Sequence, residues 1–339
     1  MTRQSLNFAL IGAAGYIAPR HMQAIKETSN RLVCALDPSD SVGILDRYFD
    51  DVDFFTDFER FDRHIGLLRR VQHQDMVDYV SICSPNFLHD AHIRFALRNH
   101  ADAICEKPLV LNPWNLDALE EDERETGHRV YNVLQLRIHP TIQELKRRMA
   151  AEDGKRHVVD LSYITRRGKW YRYSWKGDVH KSGGVATNIG IHFFDMLMWI
   201  FGKAEKSQVH IADDKRMAGY LELQKADVRW FLSVDCADLP ETARSAGRPT
   251  YRCIFIDGQE IEFSEGFADL HTLVYQDILA GRGYGIADAR PSIELAYALR
   301  GVAAAVGDRD RVHPMAWALL GSAVSRTNAA GLKNLLAHS

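Results

Sequence analysis

Short, mainly apolar and β-branched runs recur in the first part of the chain, at residues 6–11, 31–36, 78–83, 102–105 and 129–133. Between them apolar residues return at helical spacing, most clearly over 87–98 and 113–125. Strands without a polar face, separated by helices, predict a parallel sheet covered on both sides. Asn112-Pro113 marks a helix start, because Asn can cap free N–H groups and Pro tolerates the first turn. Gly127 marks a stop.

The pattern changes after about residue 135. One helical stretch, 141–151, leads into strand candidates at 157–165, 207–211, 217–223, 228–235, 251–256 and 260–263. The last two flank Asp257-Gly258, a hairpin signal. Closely spaced strands with few helices between them predict antiparallel pairing. Helical spacing also marks 189–201, 270–279 and 292–306. The pattern therefore predicts an α/β Rossmann dinucleotide-binding domain over 1–134. An α+β domain with a large, mostly antiparallel open sheet follows over 135–310, with a C-terminal extension over 311–339. The apolar stretch 316–324 in that extension is expected to pack on either domain or on another subunit.

At 339 residues, 46% hydrophobic and 26% charged, the chain has the composition of a two-domain globular protein. A formal charge of -3 gives no basic excess, which argues against a nucleic-acid partner. The cysteines Cys34, Cys83, Cys105, Cys236 and Cys253 form no C-x-x-C pair, so reduced thiols in a cytoplasmic protein are expected. No metal-ligand spacing stands out. No apolar run reaches about 18 residues, so no membrane span is expected, and the N-terminus shows no cleavable signal.

Candidate chemistry sits at the ends of the predicted strands. The first runs into Gly12-Ala13-Ala14-Gly15-Tyr16-Ile17-Ala18, where glycines permit a tight turn and let backbone approach a pyrophosphate at a helix N-terminus. The second ends at Asp37, where a carboxylate accepts hydrogen bonds from both adenine-ribose hydroxyls and repels a 2′-phosphate, favouring NAD over NADP. Two more ends carry Ser84-Pro85-Asn86, with His89 beyond, and Glu106-Lys107-Pro108. Later, Asn188, His192 and Asp195 are spaced to share one helix face after Ser182-Gly183-Gly184. An imidazole there can take a hydroxyl proton, with an acid to orient it. Residues 166–181 collect the cations Arg166, Arg167, Lys169, Arg172, Lys176 and Lys181 among aromatics, a pattern suited to diphosphate and carboxylate groups. A solvated loop is the plainer alternative for that segment.

The G-x-x-G-x-I-A loop, S-P-N-x-x-H, E-K-P and N-I-G-I-H-F-F-D together resemble the Gfo/Idh/MocA family of NAD(P)-dependent sugar oxidoreductases. The longer runs I-C-S-P-N-F-L-H-D-A-H-I-R-F-A-L-R and R-G-K-W-Y-x-x-S-W-K-G-D resemble members that oxidise the C3 hydroxyl of a UDP-linked N-acetylhexosaminuronate, on the way to diacetamido-uronic acids of surface polysaccharide such as O-antigen.

The resemblance implies that Lys107 touches cofactor ribose and sugar, and that His192 lies beside the reacting carbon. It places Glu106, Ser84, Pro85, Asn86 and His89 at the nicotinamide end, Gln135 after the last strand, and Trp175-Lys176 near the cofactor. It also implies NAD as cofactor, 2-oxoglutarate as a second substrate, and a homodimer or homotetramer. Many relatives carry Asp at the position of Asn188; an amide cannot titrate, so the burden of base falls on His192, with Lys107 as the other candidate. Two alternatives stand beside this assignment: a dehydrogenase of another sugar or polyol, and a non-catalytic sensor of NAD or a nucleotide sugar.

Overall fold

The computed structural model describes residues 5–71, 75–152, 154–261, 263, 269–305 and 307–321. Its strands form two six-stranded sheets, one after the other along the chain. The first is built from β1 (Asn7–Ile11), α1 (Ala18–Glu27), β2 (Arg31–Leu36), β3 (Asp53–Phe55), α2 (Phe58–Val71), β4 (Tyr79–Ile82), α3 (His89–Arg98), β5 (Asp102–Cys105), α4 (Pro113–Thr126) and β6 (Val130–Asn132). All its pairings are parallel, in the order β3-β2-β1-β4-β5-β6. Every residue of β1 is buried, as a strand covered on both faces requires. The order reverses between β1 and β4, the crevice where open α/β sheets take ligands.

The five apolar runs all become strands, but β3 and α2 carry no expectation from the pattern. The reason for β3 is physical: a three-residue edge strand, part exposed, is too short to show a period. Gly127 closes α4 in the left-handed conformation, at φ 75°, as expected. Asn112 precedes α4 but makes no side-chain cap, so Pro113 alone sets that start.

The second part runs through α5 (Pro140–Ala151), β7 (His157–Thr165), α6 (Trp170–Tyr173), α7 (Val179–Ser182), α8 (Ile191–Phe201), β8 (Ala204–Ala212), β9 (Arg216–Leu223), β10 (Ala226–Ser233), α9 (Glu241–Ser245), β11 (Thr250–Ile256), β12 (Gln259–Ile261), α10 (Leu270–Leu279) and α11 (Ile286–Leu299). The sheet order is β12-β11-β7-β10-β9-β8, antiparallel except where β7 and β10 run parallel. Asp257 and Gly258 have φ of 52° and 80°, the backbone of a tight hairpin turn between β11 and β12. α11 starts before the expected residue 292 and holds Pro291 inside it. It opens instead where the Asp288 carboxylate accepts from the Gly285 N–H at 2.9 Å.

One face of the second sheet packs on α5 and α8 through Leu161, Trp230, Phe194 and Leu197. The two C-terminal helices return to the first sheet. Tyr275 and Ile278 of α10 pack with Phe8 and Leu10, and Ile293 and Ala296 of α11 pack with Val80 and Ala103. A division at residue 134 is therefore crossed in space by α10 and α11. Past α11, Val312 and Ala316 pack on Ile164 and Phe231 of the second sheet's other face, through a short helix at 314–321. Residues 322–324 of the expected apolar stretch lie outside the described residues.

The helical stretch Val179–Phe201 has the length and composition to cross a membrane, although 78% of its most apolar window is buried inside the fold. Within it Ala186–Gly190 form a π turn. That wider turn alters the expected face: Asn188 and His192 stay together, while Asp195 meets Arg137. The Arg137 Nε and Nη2 donate to the Asp195 carboxylate at 2.9 and 2.7 Å, and Nη1 donates to Asp288 at 3.1 Å. Arg137 follows β6, so the cluster joins the exit of the first sheet to α8 and α11. Both charges of the Arg137–Asp195 pair are buried, and removing Asp195 would leave the Arg137 guanidinium with Asp288 alone, its Nε donor unanswered. Asp195→Ala should lower the unfolding free energy by about 3–5 kcal/mol, read from urea denaturation midpoints.

Candidate active site

At the end of β1 the Gly12 and Ala13 N–H groups donate to the Leu36 carbonyl at 2.8 and 3.2 Å, drawing the loop against β2. Gly12 has φ +91°, and a Cβ there would lie 2.7 Å from the Cys83 carbonyl carbon. Only glycine fits this approach of β1 to the end of β4. Gly15 donates to the Gly12 carbonyl at 3.0 Å, and α1 then starts with no side-chain cap. The Ala18 and Arg20 N–H groups donate to the Gly15 and Ile17 carbonyls at 3.1 and 3.0 Å and Pro19 has none, so it is the positive end of the helix dipole that would favour an anion here. Asp37 completes the cradle, its two carboxylate oxygens accepting from the Ala14 and Ser39 N–H groups at 2.9 Å each.

The ends of β4 and β5 are stapled together. His89 bridges the Pro108 and Ser84 carbonyls at 2.7 and 2.9 Å, and Ser84 Oγ meets His92 Nδ1 at 2.8 Å. Asn86 donates to the Ser182 carbonyl at 3.0 Å, which fixes this edge against the segment before α8. From the other side Lys107 Nζ donates to the Asn188 carbonyl at 3.3 Å, and the Asn188 amide donates to Tyr171 Oη at 2.7 Å. Lys107, Asn188 and His192 therefore line one cavity of about 1020 Å³. Burial, and then the Lys107 charge, hold the His192 imidazole well below its usual range. At neutral pH it is an uncharged base. Burial also lowers the Lys107 ammonium, against the opposing pull of Glu106.

That cavity collects Gly12, Ala14, Gly15, Tyr16, Ile17, Asp37, Ser84, Pro85, Asn86, His89, Glu106, Gln135, Trp175 and Lys176 along one continuous wall. Lys176 Nζ sits 4.5 Å from the Trp175 ring centroid. Of the cations over 166–181, Arg167 and Lys176 reach the wall. Arg166, Lys169, Arg172 and Lys181 are not among its lining residues, because α6 and α7 turn successive side chains in different directions. Arg172 pairs with Asp214 at 2.8 Å, and Lys181 Nζ lies 5.6 Å from the Phe87 ring centroid. Asp195, in its ion pair with Arg137, is also not a lining residue.

Sequence reasoning missed Thr56, Phe58 and Tyr163, which also line the cavity. Thr56 and Phe58 follow the short β3, and Tyr163 belongs to a β7 whose face only the sheet decides. It also missed His21 and His271, whose Nε2 atoms stand 3.1 and 2.9 Å from Glu106 Oε1.

A glycine cradle that any Cβ would fill, an uncapped helix start, an acid at the end of β2 and a cavity with a lysine and an imidazole define an NAD-dependent oxidoreductase. Residues 6–133 match the oxidoreductase family model of the NAD-binding Rossmann fold, and residues 152–238 match the C-terminal alpha/beta domain of the same family. The chain belongs to the Gfo/Idh/MocA family. It is 51% identical to the WlbA (WbpB) dehydrogenase of Thermus thermophilus, whose crystal structure holds NAD and alpha-ketoglutarate. That match has a TM-score of 0.88 and covers 91% of this chain and 99% of the other. A second structure of that dehydrogenase, with NAD and UDP-GlcNAcA, superposes with a TM-score of 0.87. Over 171 residues the chain is 30% identical to the putative UDP-kanosamine synthase oxidoreductase subunit of Amycolatopsis mediterranei, covering 50% of this chain and 47% of that one. The aligned stretches span about half the length of the first curated relatives.

A carboxylate at the end of the second strand of a dinucleotide cradle favours NAD over NADP. Asp37→Ala should weaken NAD binding about 10- to 100-fold, the loss of hydrogen bonds to a charged group, and narrow the preference over NADP. Fluorescence titration with both cofactors checks it.

Proposed function

We propose that this protein oxidises the C3 hydroxyl of UDP-linked N-acetylglucosaminuronate to the 3-keto sugar, with reduced cofactor reoxidised in place by 2-oxoglutarate. The observation that carries it is the meeting of Lys107, Asn188 and His192 in the cavity that also takes in the dinucleotide cradle. The 51% identity to a dehydrogenase crystallised with NAD and either UDP-GlcNAcA or alpha-ketoglutarate supports the substrates.

Gly12, Gly15, the start of α1 and Asp37 would hold NAD, which when bound supplies the acceptor for the C3 hydride. A neutral nitrogen of His192 takes the hydroxyl proton as C3 becomes a ketone carbon. Lys107 Nζ steadies the negative charge that grows on that oxygen. Its position is set by the Asn188 carbonyl, so Asn188 contributes through its backbone, with its amide engaged by Tyr171. Arg167 and Lys176 supply cations for the diphosphate and the uronate carboxylate. On the same proposal the enzyme works as a cytoplasmic homodimer or homotetramer on a route to O-antigen or other surface polysaccharide, for which the family resemblance is the support.

Mixing the protein with NAD and UDP-N-acetylglucosaminuronate should raise the NADH absorbance to about one equivalent per site and, with 2-oxoglutarate added, return it. UDP-N-acetylglucosamine, which lacks the carboxylate, should give little. Turnover of an unrelated polyol in preference would overturn the substrate, and tight binding without hydride transfer would make the protein a sensor. His192→Asn should cut turnover about 10²- to 10⁴-fold while NAD affinity stays within about twofold, a split read by single-turnover kinetics and cofactor titration.

A further inference from the structure

Glu106 is a buried carboxylate next to the reacting lysine, and two other elements converge on it. His21 of α1 and His271 of α10 both reach its Oε1 at 3.1 and 2.9 Å, while its Oε2 accepts from the Lys107 backbone N–H at 3.2 Å. The proton positions follow from what each group can do. A carboxylate only accepts, so both Nε2 atoms donate. Burial holds His21 below its usual range and hence neutral, so its Nδ1 accepts from Tyr275 Oη at 2.7 Å. Tyr275, having given its proton, accepts from Ser81 Oγ at 2.6 Å. The chain Ser81–Tyr275–His21–Glu106 is thereby saturated in one direction. On the other branch His271 Nδ1 is buried with no hydrogen-bond partner among the described residues, so the contact to Glu106 is what holds this imidazole.

The ligating atoms of His21, Glu106 and His271 lie within 4.8 Å of one another, a spacing a cation could bridge. Both contacts to Oε1 already have hydrogen-bond length, and His21 is engaged on its far side, so the group is complete without one. Other titratable neighbours leave Glu106 as the acid that matters. Burial raises Cys83 at the end of β4 and Cys105 of β5, and it raises Tyr275 of α10, so all three stay protonated at neutral pH. Burial lowers His192 of α8, which stays neutral, and lowers His89 of α3, whose two ring nitrogens both face backbone carbonyls. For the Lys107 ammonium the Glu106 charge opposes burial and the nearby Arg167 charge, both of which lower it.

We propose that His21 and His271 are positioning residues which hold Glu106 as an aimed carboxylate, and that Glu106 in turn fixes the Lys107 peptide and places its negative charge beside the Lys107 side chain in the reaction cavity. The proposal rests on the dehydrogenase assignment above for what the ammonium does. It explains why α10, more than 160 residues further along the chain, closes beneath the end of β5.

Two measurements on the full chain without sugar test it. Pulsed acetylation across pH, with the Lys107 peptide quantified by mass spectrometry, should show its titration midpoint about one unit lower in Glu106→Gln than in the parent. An unmoved midpoint overturns the second half of the proposal. Carbon-13 spectra of Glu labelled at Cδ, with the Glu106 signal identified by its loss in Glu106→Gln, read the carboxylate itself. Hydrogen bonds to the charged form lower a carboxyl pKa, so removing a donor raises it. His271→Leu should move the Glu106 midpoint up by about a unit or more, and His271→Gln, which keeps an N–H, should leave it near the parent. No shift in the leucine variant, or equal shifts in both, overturns the first half.

In turnover, the acid limb of the His271→Leu profile should rise with the Glu106 midpoint. If the parent turns over no nucleotide sugar, the functional assignment falls while acetylation and carbon spectra still decide this one. His21→Gln provides the same rescue comparison should His271→Leu not fold.

Discussion

A buried charge must be answered where it is buried, and that constraint shapes this molecule at two points. Arg137, at the exit of the first sheet, is met by Asp195 of α8 and Asp288 of α11. Taking either member of the Arg137–Asp195 pair out of water is tolerable only because the geometry is bidentate. The pairing therefore fixes how the second sheet's covering helix sits against the first sheet, and with it the relation of His192 to the cofactor cradle. Glu106 is the second point, answered by imidazoles from α1 and α10. Between them these clusters hold the cavity's two walls together.

The cavity itself follows from sheet geometry. Parallel strands β1, β4 and β5 all point their carboxyl ends the same way, so the loops carrying Gly12, Ser84 and Lys107 arrive side by side without further design. The opposite wall needs a different device. The π turn at Ala186–Gly190 presents the Asn188 carbonyl to Lys107 while keeping His192 one turn away on the same cavity. Extra residues in a helical turn alter the direction of everything beyond, which is how Asp195 comes to meet Arg137.

Much of this was legible beforehand where local chemistry and tertiary role coincide. The mostly apolar runs marked the parallel strands, because burial on both faces favours apolar residues and leaves each polar one, such as Ser81, in need of a partner. Gly12 announced itself because its conformation and its contact with the Cys83 carbonyl both demand a missing side chain. The cation-rich segment 166–181 was only partly legible. Its composition called for an anion, but the fold brings Arg167, before α6, and Lys176, between α6 and α7, to the cavity and places Arg172 of α6 on Asp214.

By itself, then, the sequence determined the order of most elements and the glycines of the dinucleotide cradle, since each is set by a few neighbouring residues, while the lysine and imidazole were picked out by the resemblance of their motifs. Only the tertiary structure decided which acid answers which cation, which cations face the cavity, and which histidines stand behind Glu106. Such pairings join residues far apart in the chain, His21 with Glu106 and Arg137 with Asp288. No local period or motif encodes them; they exist because packing excludes water and obliges each buried polar group to find a partner.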